Sequence, residues 1–228
     1  MKKSFAVVLM ALLLLSFSLI QAQTNFSLGV KAGSNFGNLS FDPDVNSQTT
    51  KSSVTGFASG AVAEISFIPM LALQIEPTYL TGGSSLSGPL FSNGATLING
   101  KITFNITYLS IPILLKLKIP IPKSEISPYA FLGPNIGFLL SSKEKDEPNG
   151  FPSSEIDQKD FMSSTNFSLE FGVGAGYKVT PQTTITFDGR YSLGLSNILN
   201  DKGKQNLGAN QSIKTNGFQI VACVIFTM

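Results

Sequence analysis

Nine ionisable side chains stand inside otherwise apolar, strand-like stretches: Lys31, Glu64, Glu76, Lys116, Lys118, Glu170, Lys178, Asp188 and Arg190. Five are cations and four are anions. So balanced a set suits mutual pairing in a confined interior, where an ion left alone is costly. Asp188 and Arg190, two residues apart, share one face of a strand; they could hold a ligand carboxylate or neutralise each other. Other chemistry is hard to assemble. The 228 residues include no His and a single Cys, Cys223, which excludes His-based triads, His-ligated zinc and an internal disulfide. Gly172, Gly174 and Gly176 could be mistaken for a dinucleotide-binding loop, but that fingerprint needs a strand before it and a helix after it. Here they alternate within one strand, where small residues leave room for packing. The run Lys143 to Glu147, with Asp157 and Asp160 beyond it, lacks EF-hand spacing and reads as a solvated loop. The sequence therefore assigns no catalytic, cofactor-binding or metal residue, and the protein reads as a non-enzyme.

These charges need strands with two unlike faces, and the dominant periodicity is two. Phe167, Leu169, Phe171, Val173, Ala175, Tyr177 and Val179 form one face of a run whose other face is Ser168, Glu170, Gly172, Gly174, Gly176 and Lys178. Eight such runs are predicted, at about 26–36, 54–67, 71–83, 101–119, 126–141, 167–179, 185–195 and 213–228. In the fourth, the apolar residues are even up to Tyr108 and odd from Leu109, which predicts a bulge or shift near Tyr108; Pro112 lies in the same run. Cys223, in phase with Val221 and Ile225, is expected as an inert thiol facing the interior.

Connections alternate in length. Those at 37–53, 84–99, 142–163 and 196–212 are long and polar, while those at 68–70, 120–124 and 180–182 are short. An up-and-down barrel would gather the long ones at one rim and the short ones at the other, as in outer-membrane barrels. With the nine charges on the inner face, the apolar face would meet lipid, the reverse of a soluble lipocalin-like barrel. Eight strands leave an interior that side chains fill.

Lys2 and Lys3 precede an uncharged stretch from Phe5 to Ile20 that leads to Ala22. That is the pattern of a secretory signal peptide, so residues 1–22 are expected to be cleaved and 23–228 to form the barrel. Without the two lysines, 14 Lys and Arg stand against 14 Asp and Glu. A neutral chain offers no basic surface for nucleic acid.

Four segments resemble the PorT-like outer-membrane β-barrel family of the Bacteroidota: Tyr108 to Lys116 (YLSIPILLK), Pro128 to Pro134 (PYAFLGP), Gly172 to Gly176 (GVGAG) and Arg190 to Leu195 (RYSLGL). The resemblance implies an all-β fold, an eight-stranded antiparallel up-and-down transmembrane barrel in the outer membrane, and a tolerated Pro112. It names no activity. Barrels of this kind end on an aromatic residue, whereas Phe226 is followed here by Thr227 and Met228. The expectation is a non-enzymatic integral outer-membrane protein with a filled lumen and four long surface loops, serving envelope structure, adhesion or a secretion assembly; the alternative is a narrow channel or transporter for small solutes. Expected partners are outer-membrane lipid, the barrel assembly machinery and proteins that meet the loops. No cofactor is implied.

Overall fold

The computed structural model describes residues 25–44, 48–93, 96–207 and 211–228; the signal segment expected at 1–22 lies outside them. The strands are β1 (Asn25–Asp42), β2 (Thr50–Ile68), β3 (Leu71–Ile75), β4 (Thr78–Asn93), β5 (Thr96–Lys118), β6 (Ile126–Pro148), β7 (Ser154–Asp157), β8 (Thr165–Lys178), β9 (Thr183–Gly194) and β10 (Ser212–Thr227). A 3-10 helix (Lys159–Phe161) and helix α1 (Asp201–Leu207) lie in the last two long connections. No helix among the described residues is long and apolar enough to cross a membrane.

All pairings are antiparallel, and β10 returns to β1 in register from Ser27↔Thr227 to Asp42↔Ser212. β3 and β4 both lie between β2 and β5 as one wall strand interrupted at Glu76 and Pro77, and β7 pairs only with the far end of β6. The result is a closed eight-stranded antiparallel up-and-down barrel. Pro112 sits opposite the interruption, its carbonyl accepting the Glu76 N–H at 3.2 Å. No ladder donor is needed at a position where the partner strand itself breaks, which explains the proline.

The outer face is hydrocarbon left in the open. Val173 is 66% exposed and Phe187 62%, with Val30, Leu115, Leu132 and Ile220 also exposed. So large an exposed apolar band is unlike a water-facing surface and matches the lipid belt of a transmembrane barrel. Near its upper edge Phe36 stacks on Phe218 and Phe57 on Tyr79, with ring centroids 6.5 and 5.6 Å apart. Above that edge the outward residues turn polar, as at Asn38, Ser40, Lys101 and Asn105.

The strands continue past the belt, which revises three sequence expectations. The connections expected at 37–53 and 84–99 are largely strand: β1 reaches Asp42, β2 begins at Thr50, and β4 and β5 form a hairpin up to Asn93 and Thr96. Their Ser- and Thr-rich stretches lack the contrast between faces that lipid imposes, so the ladder left no period-two signal. The run Lys143–Glu147 likewise belongs to β6 rather than to a loop. The third revision is partial: the irregularity expected near Tyr108 is present in the ladder, but β5 does not change phase, and Ile106, Tyr108, Ser110, Leu114 and Lys116 all point inward. What changes is the interior. At the upper end it is apolar, a cluster of Leu39, Ile106, Tyr108, Leu139, Met162, Ile198, Leu199 and Ile213, with Phe41 and Phe104 against it. The register irregularity lies in the β5–β6 ladder, where Thr107↔Ser141 is followed by Tyr108↔Leu139 and Leu140 is the extra residue.

Candidate functional site

Period-two strands aim their inward residues at one level of the lumen. From β9 come Asp188 and Arg190, from β8 Glu170, from β1 Lys31, from β2 Glu64, and from β5 Lys116 and Lys118. The interrupted wall strand adds Gln74 of β3 and Glu76 just beyond it. Most are almost wholly buried: Arg190 is 1% exposed, Glu76 0% and Glu170 2%.

Arg190 is the hub. Its Nη1 donates to Glu76 Oε2 at 2.6 Å and to Glu170 Oε1 at 2.8 Å, its Nε to Asp188 Oδ1 at 2.8 Å, and its Nη2 to Glu76 Oε1 at 3.3 Å. Lys31 also donates to Glu76, and the Tyr129 hydroxyl donates to Asp188 Oδ2 at 3.1 Å. A second group lies below, where Lys116 donates to Glu64 Oε2 at 3.1 Å and Lys118 to Glu64 Oε1. Gln74 joins the two, its carbonyl accepting from Lys116 at 3.0 Å while its amide donates to Glu76. Four cations (Lys31, Lys116, Lys118, Arg190) thus meet four anions (Glu64, Glu76, Glu170, Asp188). The ninth candidate, Lys178, is exposed at the turn end and joins neither group.

Aromatic rings close the belt from the β6 wall. The Phe131 ring centroid lies 4.9 Å from the Arg190 guanidinium carbon, and the Tyr129 centroid 4.0 Å from Lys116 Nζ. The β8 glycines make this possible: a Cβ on Gly172 would come within 2.6 Å of Phe131, and one on Gly174 within 2.6 Å of Tyr129. They leave space for rings and cradle no phosphate. Gln74, Tyr129 and Phe131 were missed by a reading that followed formal charge, although Gln74 shares the inward phase of Glu76. The Cys223 side chain is buried with Val62, Val221 and Ile225.

Above the belt lies a cavity of about 60 Å³ lined by Leu39, Leu80, Ile106 and Tyr108 together with amide and hydroxyl side chains, among them Ser110, Asn135 and Ser168, hydrogen-bonded in a chain at 2.8 and 3.2 Å. Over it sits the apolar cluster, where the two long connections lock together: Met162 bridges to Leu199, and the Asn200 amide donates to the carbonyls of Asp160 and Met162 at 2.8 and 3.0 Å. Below the belt the lumen opens into a vestibule of about 690 Å³ at the short-turn end. On the extended sheet, Lys143 pairs with Glu155 at 2.6 Å and Lys145 with Glu147 at 2.8 Å. Asp157 caps the Lys159 N–H at 2.8 Å, and no cluster of metal-ligating residues exists among the described residues.

Residues 21–200 match the family model described as outer membrane protein beta-barrel domain. The chain belongs to this family. It is accordingly an outer-membrane protein, and its apolar belt faces that membrane's lipid. The outer membrane protein OprG from Pseudomonas aeruginosa shares the fold at TM-score 0.55 and 14% identity, over 90% of this chain and 96% of that one. Ail of Yersinia pestis aligns at TM-score 0.40 and 15% identity, over 88% and 98% of the two chains. The outer membrane protease OmpT from Escherichia coli aligns at 0.41 and 10%, over 91% and 99%. No curated protein matches.

Proposed function

We propose that this family member is a non-enzymatic barrel of the PorT-like kind, a sealed membrane anchor that presents its extended strands and loops at the cell surface to protein partners. The observation that carries the reading is closure at successive levels: a neutralised belt of ions and rings, a cavity of only about 60 Å³, and an apolar cluster locked by two loops. A conducting pore needs a continuous wet path, and an enzyme needs an unsatisfied nucleophile or acid beside a cleft. Each of the belt's carboxylates instead accepts from at least one cation, and Glu64 and Glu76 do so through both oxygens. Insertion would proceed through the barrel assembly machinery; adhesion, envelope structure and a secretion assembly are the roles a surface platform can serve. In a planar bilayer the purified protein is expected to show no steady conductance. A stable open channel whose ion selectivity changes in Arg190→Ala would replace this reading with the transporter.

A further inference from the structure

We propose that the vestibule at the short-turn end binds an oxyanion, a phosphate or carboxylate group. The space is about 690 Å³, rimmed by turn residues such as Pro69, Ile121 and Pro181, and it ends against the underside of the charged belt. Its chemistry is one-sided. Glu64, the acid at its inner end, has one oxygen taken by Lys116 and the other by Lys118, so two ammonium groups share a single carboxylate. Lys178, on the wall, has no ion-pair partner among the described residues. Thr186, 3% exposed, also lines the space. Glu125 stands exposed at the rim.

An ammonium carries three donors and no acceptor. Lys118 uses its donors on Glu64 and Ser66, leaving one over, and Lys178 has all three to offer. A vestibule rich in donors, with its deep acid already occupied, is complementary to a ligand that only accepts and carries negative charge. Charge-assisted bonds from lysine to an oxyanion meet that description. The volume leaves room for the rest of the molecule bearing the group, and the open mouth lets it enter without unlocking the belt.

Detergent-solubilised folded protein titrated calorimetrically with citrate, with dihexanoyl phosphatidylglycerol and with zwitterionic dihexanoyl phosphatidylcholine tests this. Saturable binding of citrate or of the phosphatidylglycerol is expected, weakened about tenfold in Lys178→Glu through lost charge-assisted bonds. Lys178 is exposed, so its variant should fold, as the gel shift of unboiled samples will verify. Binding of citrate alone identifies a free anion, and binding of the phosphatidylglycerol alone identifies a lipid headgroup. No saturable binding, equal binding of both lipids without citrate, or indifference to Lys178→Glu overturns the proposal.

Discussion

Arg190 faces three buried carboxylates, and its removal would leave Glu76 paired with Lys31 and leave Glu170 and Asp188 without an ion-pair partner among the described residues. Breaking a buried pair by deleting one partner costs about 3–5 kcal/mol. Arg190→Ala should therefore reduce the unfolding free energy by about that much, seen as a lower urea midpoint in the folded and unfolded gel bands. Lys118 is the comparison. Its side chain is 23% exposed and its partner Glu64 keeps Lys116, so Lys118→Ala should cost about 1 kcal/mol or less. A midpoint as low in Lys118→Ala as in Arg190→Ala would remove Arg190 from its central place. Above the membrane, Glu144 behaves differently: burial, then the neighbouring Asp146 carboxylate, raises its pKa above the ordinary 4.5. The native sheet then holds this proton more tightly than the unfolded chain does. Its contribution is complete below the ordinary value and is lost as pH rises through the raised one. Amide exchange in β7, corrected for intrinsic rates, should show more protection at about pH 4 than at about pH 7. Subtracting the Glu144→Gln profile should isolate that difference.

A strand here is defined by its two environments. Val173 of β8 points to lipid and Thr184 of β9 into the vestibule. An arginine at the first position meets hydrocarbon, at a cost of about 2–4 kcal/mol near mid-membrane, whereas one at the second meets polar walls and open space. Val173→Arg should fold poorly into liposomes and Thr184→Arg nearly as well as the wild type. Equal yields would mean that the faces are assigned wrongly. The same contrast explains which elements were readable from the residues. Within the belt, Val173 alternates with Gly172 and Gly174, and the strand is plain. In β4, Ser84 to Ser87 are paired just as regularly with Thr103, Phe104 and their neighbours, but both faces are polar or mixed there and the ladder left no trace in hydropathy. The apparent phase change at Tyr108 arose in the same way, from an interior that turns apolar around a strand that does not shift.

As a whole molecule, the barrel has unequal ends. One carries the extended β4–β5 and β6–β7 hairpins and the interlocked loops; the other carries short turns around an open vestibule. With the long end outside, trypsin added to intact cells should cut at Lys159 or Lys202 and spare Lys123 in the short link after β5. All three are exposed, so topology alone separates them. Cutting at Lys123 with the other two intact would invert the barrel in the membrane.

Alternation of large apolar with polar residues, eight times over, determined the strands, the direction of each face and the inward placing of the charges, because lipid on one side and a narrow interior on the other force that contrast into the residues themselves. The alternation of long and short connections determined which rim is elaborate. Tertiary structure alone decided the partners. Which carboxylate meets Arg190 depends on ring closure and on registers between strands far apart in the chain, Glu76 and Arg190 being 114 residues apart, and no local pattern encodes those. It also decided that neutral Gln74 joins the two ion groups and that Lys178, identical in type to its neighbours, stands outside the network. A charge is visible in a sequence, but its pairing is a matter of distance.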